Sequence, residues 1–500
     1  MERVHELLRE AHENCGGKLA LIDHSDRRAT WSGLWQATQE ARVVLANAGV
    51  GPGDRVVIML ENSISALSFF FATGMLDAAA VMINARLTGA ELDRILAHSD
   101  PSAVVFTTDV SAMARDHAGA RGAVSHAGAY GAVGVLSRDG SVPEPVAAGA
   151  SATALLLYTS GTTGAPKAAM LSHGNLIAGA EASVEFRGIH PGDMSFLALP
   201  LSHVFGLVTL LAITMAHGAM RLEAKFDVAR LYEALNTDVT LFSGVPQMHA
   251  HLFHYARERG HETCDQALMR FASSGGAPLD PAWKREAEAF YGIPLQNGYG
   301  LTETTAGVCA TKSELGDPDV SVGLPMKGSV LRIDMEAPGS HPEQGIGEIQ
   351  VSGPQIMQGY FRDPDQTAEV ITEDGFFRTG DLGRIDDQGR LHISGRSKEL
   401  IIRSGFNVYP VEVEAALIEH PDVIVAAVVG RAVEGNEEVL GFVKVSPGVT
   451  VDEAALKTFL KDKLAPYKRP ARIIVAHDLP AAPTGKLLKA QMIPHFADLL

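Results

Sequence analysis

Cysteine is scarce: Cys15, Cys264 and Cys309 are the only three in 500 residues. An odd number at wide spacing excludes a disulfide framework and a CxxC metal site, and it fits a reducing cytosol. Positive charge is also in short supply. The 42 basic side chains face 59 acidic ones, and a net charge of -17 repels nucleic acid and anionic lipid. Long apolar runs are missing as well, because the most apolar stretches, 67–83 and 204–220, are broken by Asp77 and by Gly206 and His217. Both read as buried core rather than membrane spans. The opening residues, MERVHELLREAHE, carry charge where a signal peptide needs an apolar stretch. The expectation is therefore a cytoplasmic protein, monomer or homodimer, with no nucleic-acid partner and no integral membrane association.

What is present is ordinary globular composition, with 46% hydrophobic and 20% charged residues, enriched in 50 glycines that mark turns and backbone-lined sites. Single cores stop growing at roughly 250–300 residues, so at least two domains are expected. Strand-like runs such as RVVIML alternate with helix-like runs such as WSGLWQATQEARVVLANA from about residue 19 to 109, the pattern of a doubly wound α/β sheet. Residues 117–152 are weakly patterned and read as irregular or peripheral. After about residue 321 short strands and turns predict a β-rich subdomain. From Lys398 a compact mixture of strands and helices predicts a small α+β domain. The fold class is thus α/β, with a large N-terminal domain over 1–396 and a small C-terminal domain over 397–500.

The strongest local signal is Tyr158-Thr159-Ser160-Gly161-Thr162-Thr163-Gly164-Ala165-Pro166-Lys167, a strand running into hydroxyls, glycines and a lysine. Glycines let backbone N–H groups approach an anion, hydroxyls donate to it, and Lys167 supplies charge: this is phosphate-handling chemistry. It is not a Walker P-loop, because GxxxxGK[ST] is absent and Pro166 stands where such a helix would begin. Four further segments follow in order: Asn297-Gly298-Tyr299-Gly300-Leu301-Thr302-Glu303, Thr379-Gly380-Asp381, Gly395-Arg396-Ser397-Lys398-Glu399 with the next loop through Gly405 and Phe406, and Pro483-Thr484-Gly485-Lys486. Any one of them alone is a common turn.

Together the five resemble the signatures of the acyl-adenylate-forming superfamily, which includes acyl-CoA synthetases, luciferases and peptide-synthetase adenylation domains. The resemblance covers nearly the whole chain. It implies that Thr159, Ser160, Gly161, Thr162, Thr163, Gly164 and Lys167 bind ATP phosphates, and that Gly276, Ala277, Pro278, Asn297, Gly298 and Tyr299 lie around the adenine. It also implies that Thr302 lies by the α-phosphate, that Glu303, with Thr159, holds Mg²⁺, and that Asp381 and Arg396 take the ribose and nucleotide. Lys486 would bridge the acid's carboxylate and the α-phosphate, Lys398 would be the hinge between domains, and Gly405 and Phe406 would line the coenzyme A tunnel. His203, Val204, Gly298 and Gly323 would line the acyl site, His203 as its gate. A separate group, His249, His251 and His254, has neither HExxH nor zinc-finger spacing and reads as a helical face at a surface.

The implied activity is that of an AMP-forming acid–CoA ligase, with Mg²⁺ as cofactor and ATP and CoA as co-substrates. A carrier-protein thiol is the alternative acceptor, although Val204 stands where amino-acid-binding relatives carry an Asp. A non-catalytic scaffold is the reading from another class, opposed by the retained Lys167, Glu303, Asp381, Arg396 and Lys486. The segments expected around the acid (204–206, 243–246, 273–276, 298 and 322–323) hold no basic side chain. They predict an uncharged fatty or aryl acid, with a malonate-type acid as the alternative, for which Lys284 or Arg285 would have to reach the site.

Overall fold

A computed structural model of the chain describes all residues except 160–166, 265–267, 277–278, 404–405, 434–435, 446–447, 450 and 482–486. Two large mixed sheets dominate the described residues. The first has a parallel centre, in which Leu295–Leu301, Phe271–Gly275, Leu241–Gly244, Met194–Leu197, Ala219–Leu222 and Leu19–Asp23 lie side by side. The second is parallel through Thr153–Thr159, Ala79–Asn84, Arg55–Leu60 and Ala103–Phe106. All six residues of Arg55–Leu60 are buried, as a strand covered on both faces requires.

Helices, His5–Cys15 and the four that follow here among them, fill the space between the sheets and join them in one core. Ile64–Met75 is buried on nearly every side, which is why its sequence is apolar all round. Trp31–Asn47 is capped by the Thr30 hydroxyl. His173–Arg187 starts at a Ser172/Asn175 capping box and stops at Gly188, whose φ of 58° suits the left-handed end of a helix. Val204–Met215 begins immediately after His203. Its Gly206 lies against the preceding turn so closely that a Cβ there would sit 2.5 Å from the Pro200 carbonyl oxygen. That close approach fixes His203 at the mouth of the helix.

Residues 124–137 are more regular than their composition predicts. Val124–Gly128 and Gly131–Ser137 form a hairpin on the edge of the second sheet, where short side chains meet few partners and leave only a weak periodic signal. The predicted β-rich subdomain is a four-stranded antiparallel sheet of Val330–Asp334, Gly347–Ser352, Phe377–Ile385 and Leu391–Arg396. Beyond it, Val423–Val433, Asn436–Val445 and Arg472–Ala476 form a separate sheet covered by Pro410–Ile418 and Glu453–Phe459, with their own core. No helix among the described residues is long and apolar enough to cross a membrane.

Candidate active site

Thr153–Thr159 and Lys167–Ser172 are antiparallel partners, with Thr159 directly opposite Lys167. The run between them is therefore the connection of a hairpin, unlike a P-loop, which joins a strand to a helix. Ser160, Gly161, Thr162, Thr163 and Gly164 lie outside the described residues, but Thr159 and Lys167 at its two ends are placed. The Lys167 ammonium contacts the Gln366 side chain and lies 5.8 Å from the centre of the Tyr360 ring. Tyr360 in turn donates its hydroxyl to Glu303 Oε1 at 2.9 Å. Burial and the neighbouring Glu303 carboxylate hold that phenol well above its ordinary pKa, so it remains a donor.

Glu303 sits in a single 3₁₀ turn, Thr302–Thr304, at the end of Leu295–Leu301. Thr305 and Ala306 follow with φ of 48° and 72°, left-handed values that non-glycine residues rarely adopt. They turn the chain so sharply that only glycine fits opposite: a Cβ on Gly300 would lie 1.4 Å from the Ala306 carbonyl oxygen. A carboxylate with one oxygen held by a phenol whose ring lies near a lysine suits a hard cation accompanied by phosphate, the setting expected for Mg²⁺ at Glu303 and Thr159.

On the opposite side of the same strand end, Tyr299 donates its hydroxyl to Asp381 Oδ2 at 2.6 Å, and Arg396 Nε lies 3.0 Å from Asp381 Oδ1. Asp381 and Arg396 face each other across adjacent strands. Burial pushes the Asp381 carboxyl above the usual carboxylate range even with Arg396 beside it. Three segments far apart in sequence thus share one cluster. Asn297 anchors it from below, donating its side-chain amide to Ser321 and accepting from the Gly298 N–H.

Several of the residues expected around the acid lie at or next to the strand ends. Gly275 and Gly298 are register partners, and Phe205, in the first turn after His203, packs on Gly275. Val204 is buried and His203 exposed. Gly323 has a φ of 81°, and a Cβ there would lie 2.1 Å from the Ala310 carbonyl oxygen. Gly276 also has a positive φ, while Ala277 and Pro278 lie outside the described residues. Sequence reasoning overlooked one neighbour of this wall. Arg187, at the end of its helix, is buried with its Nε 3.2 Å from Ser243 Oγ.

Several expected residues are engaged elsewhere. Lys284 is buried, but its ammonium is taken by the carbonyls of Asp317 and Asp319 and by Glu288, and Arg285 is exposed. The three histidines do not share one surface: His249 is in the core, hydrogen-bonded to Tyr291 and the Ser273 carbonyl, whereas His251 and His254 are exposed. Lys398 is exposed in the turn Ser397–Glu399 that follows Arg396. Its neighbour Glu399 pairs with Lys489 at 2.7 Å, and Lys489 also pairs with Glu414 at 2.8 Å. Phe406 is exposed and stacks on Tyr467, while Gly405 and Lys486 lie outside the described residues.

Two mixed sheets meet a buried carboxylate held by Tyr299 and Arg396 and a second carboxylate held by Tyr360, whose ring lies near Lys167, an arrangement that suits a nucleotide-consuming ligase. Residues 8–361 match the AMP-binding enzyme family and residues 412–486 match the AMP-binding enzyme C-terminal domain, and the chain belongs to this family. It is 33% identical over 474 residues to a 2-succinylbenzoate–CoA ligase of Geobacillus kaustophilus, covering 94% of each. It is likewise 33% identical over 479 residues to a feruloyl-CoA synthase of Amycolatopsis, covering 95% of each. The fold superposes on the o-succinylbenzoate coenzyme A synthetase of Bacillus subtilis in complex with ATP and magnesium ion with a TM-score of 0.82, at 27% identity, over 97% of this chain and 98% of that one. The chain is an ATP-dependent acid–CoA ligase.

Proposed function

We propose that the chain joins a carboxylic acid to coenzyme A in two half-reactions at this one site, as a cytoplasmic monomer or homodimer. In the first, a carboxylate oxygen of the acid attacks the α-phosphorus of ATP, the bond to the bridging oxygen breaks, and acyl-AMP and pyrophosphate result. In the second, the thiol of CoA attacks the acyl carbon, losing its proton, and AMP leaves. The single observation that carries this reading is the joining of Tyr299, Asp381 and Arg396 at the end of the strand that leads into the turn with Thr302 and Glu303.

Asp381, an acceptor once ionised, receives the ribose hydroxyls, and Arg396 favours that ionised form against the opposing effect of burial. Lys167 and the hydroxyls of residues 159–163 hold the phosphates. Mg²⁺, when bound at Glu303 and Thr159, offsets phosphate charge. Lys486 relieves the repulsion between the incoming carboxylate and the α-phosphate, the main barrier that electrostatics has to lower here. The small domain, 397–500, then turns about Lys398 and brings Gly405 and Phe406 to the CoA arm. His203, Val204, Gly298 and Gly323 enclose the reacting end of the acid, and the ring of Phe205 with the glycine wall supports an aryl or alkyl body.

The test is a panel of carboxylic acids incubated with ATP, Mg²⁺ and CoA, following pyrophosphate and thioester in parallel. Both products should appear in equal amounts and depend on CoA for the second. Pyrophosphate without thioester, restored by a carrier-protein thiol, would reassign the acceptor.

A further inference from the structure

Three basic side chains among the described residues are buried, and two of them have an obvious counter-charge. Arg55 meets Asp100 together with the carbonyls of Gly53, Ser99, Asp100 and Val142. Lys284 meets Glu288 and two carbonyls. Arg187 differs. Its hydrogen-bond partners are the neutral hydroxyls of Ser243 and Ser183, and its guanidinium carbon lies 5.6 Å from the Phe186 ring centre and 5.9 Å from that of Phe205. No carboxylate of the described residues pairs with it, and burial alone pushes its pKa down to about 10. It is therefore a full positive charge at neutral pH in a desolvated setting, an arrangement that costs several kcal/mol unless an anion completes it.

Its position says which anion. Ser243 is the next-to-last residue of Leu241–Gly244, and its hydroxyl is 2.9 Å from that of Ser273 on the adjacent strand. Phe205, which the guanidinium faces, packs on Gly275 one turn beyond His203. Ser273 and Gly275, two residues apart, share one face of their strand, so Arg187, Ser243 and Ser273 lie next to the wall that Phe205 and Gly275 present to the acid. A planar guanidinium flanked by two hydroxyls is a donor set matched to a carboxylate or sulfonate, whose two or three oxygens accept side by side. We propose that Arg187 is a specificity-determining residue that, with Ser243 and Ser273, receives a second anionic group at the far end of the acid. The substrate is then an acid with an apolar middle and two acidic ends, only one of which is activated.

This inference rests on the ligase reading of the His203–Gly298 wall and is tested so that the two fail separately. Acids are compared in length-matched pairs, one ending in methyl and the other in carboxylate, such as hexanoate with adipate and butyrate with succinate, and an aryl pair such as benzoate with 2-carboxybenzoate. Pyrophosphate release is the readout. The wild-type enzyme should favour the doubly acidic member of at least one pair by roughly tenfold or more in kcat/KM. Arg187→Met should abolish that preference, losing roughly a hundredfold on the diacid, mainly in KM, and only a few-fold on its methyl-ended partner. Arg187→Lys should recover part of the loss, because the charge returns without the fork. Ser243→Ala, which leaves the charge in place, should weaken the diacid several-fold and spare the monoacid, and it serves if Arg187→Met does not fold. A wild-type preference for the methyl-ended member in every pair, or an equal loss on both members in Arg187→Met and Ser243→Ala, overturns the assignment while leaving the ligase intact. Absence of pyrophosphate release with every acid overturns the ligase reading itself.

Discussion

The two ends of the site are built on opposite principles. At the proposed nucleotide end the two carboxylates each have a partner within the protein: Asp381 with Tyr299 and Arg396, and Glu303 with Tyr360. At the proposed acyl end side chains are missing, with glycines at 275, 298 and 323, and a guanidinium lies nearby among hydroxyls and rings. The nucleotide end is preorganised for a ligand of fixed shape, so its donors and acceptors are set before ATP arrives. The acyl end is a mould whose depth depends on side chains that are absent. Substitutions should therefore act on chemistry at the first and on choice of acid at the second.

The sharpest break is Lys486→Ala. Adenylate formation should fall roughly a thousandfold, while thioester formation from presynthesised acyl-AMP stays close to wild type, as single-turnover assays of each half-reaction would register. Equal losses in both halves would move this lysine out of the first step. Lys398→Pro should do the reverse, because proline fixes φ and holds the hinge in one orientation. Adenylation survives and CoA transfer drops roughly a hundredfold when the acceptor groups are not brought into line. A normal transfer rate would show that the chain does not pivot there.

Gly275→Ala tests the acyl end alone. Its Cβ would stand 3.3 Å from Phe205 Cε1, so the ring must shift by a few tenths of an ångström and the wall moves inward. Bulky acids should lose roughly tenfold in kcat/KM with KM for ATP unchanged. An altered KM for ATP would mean that the two ends are not independent. The smallest effect is on stability against pH. Burial lowers the pKa of His249 to about 4 and that of His173 to about 3, against an ordinary value of 6.5. As pH falls below 6.5 the unfolded chain takes up protons that the fold refuses, so stability is full above 6.5 and declines towards pH 4. A melting temperature that held constant across that window would contradict it, and His249→Asn should flatten the slope.

The same contrast explains what could be read without coordinates. Lys167, Glu303, Asp381 and Arg396 stand in short segments of distinctive chemistry, and the structure brings Glu303 to Lys167 through Tyr360, and Asp381 to Arg396. Arg187 carried no such mark. A basic residue in the last turn before a glycine is what any helix end prefers, for dipole and capping reasons, so its sequence context pointed to an ordinary terminus. Only the packing of its helix over Ser243 and Phe205 reveals a buried charge. Lys284 shows the opposite: it stands near Gly276 in sequence, but its ammonium goes to the carbonyls of the 317–319 loop. The 124–137 hairpin escaped notice because edge strands of small residues obey neither periodicity strongly.

Lys489 has a consequence for timing. It grips Glu399, the residue after the pivot, and Glu414 on the Pro410–Ile418 helix, and it stands three positions after Lys486. Glu399, next to the proposed pivot, and the helix Pro410–Ile418 are thus bolted to one plate through Lys489. A swing about Lys398 would carry Glu399, Lys489 and that helix as one body. Such gearing would make the proposed exchange of half-reactions a strict alternation, each turnover completing a full swing before the next ATP is used.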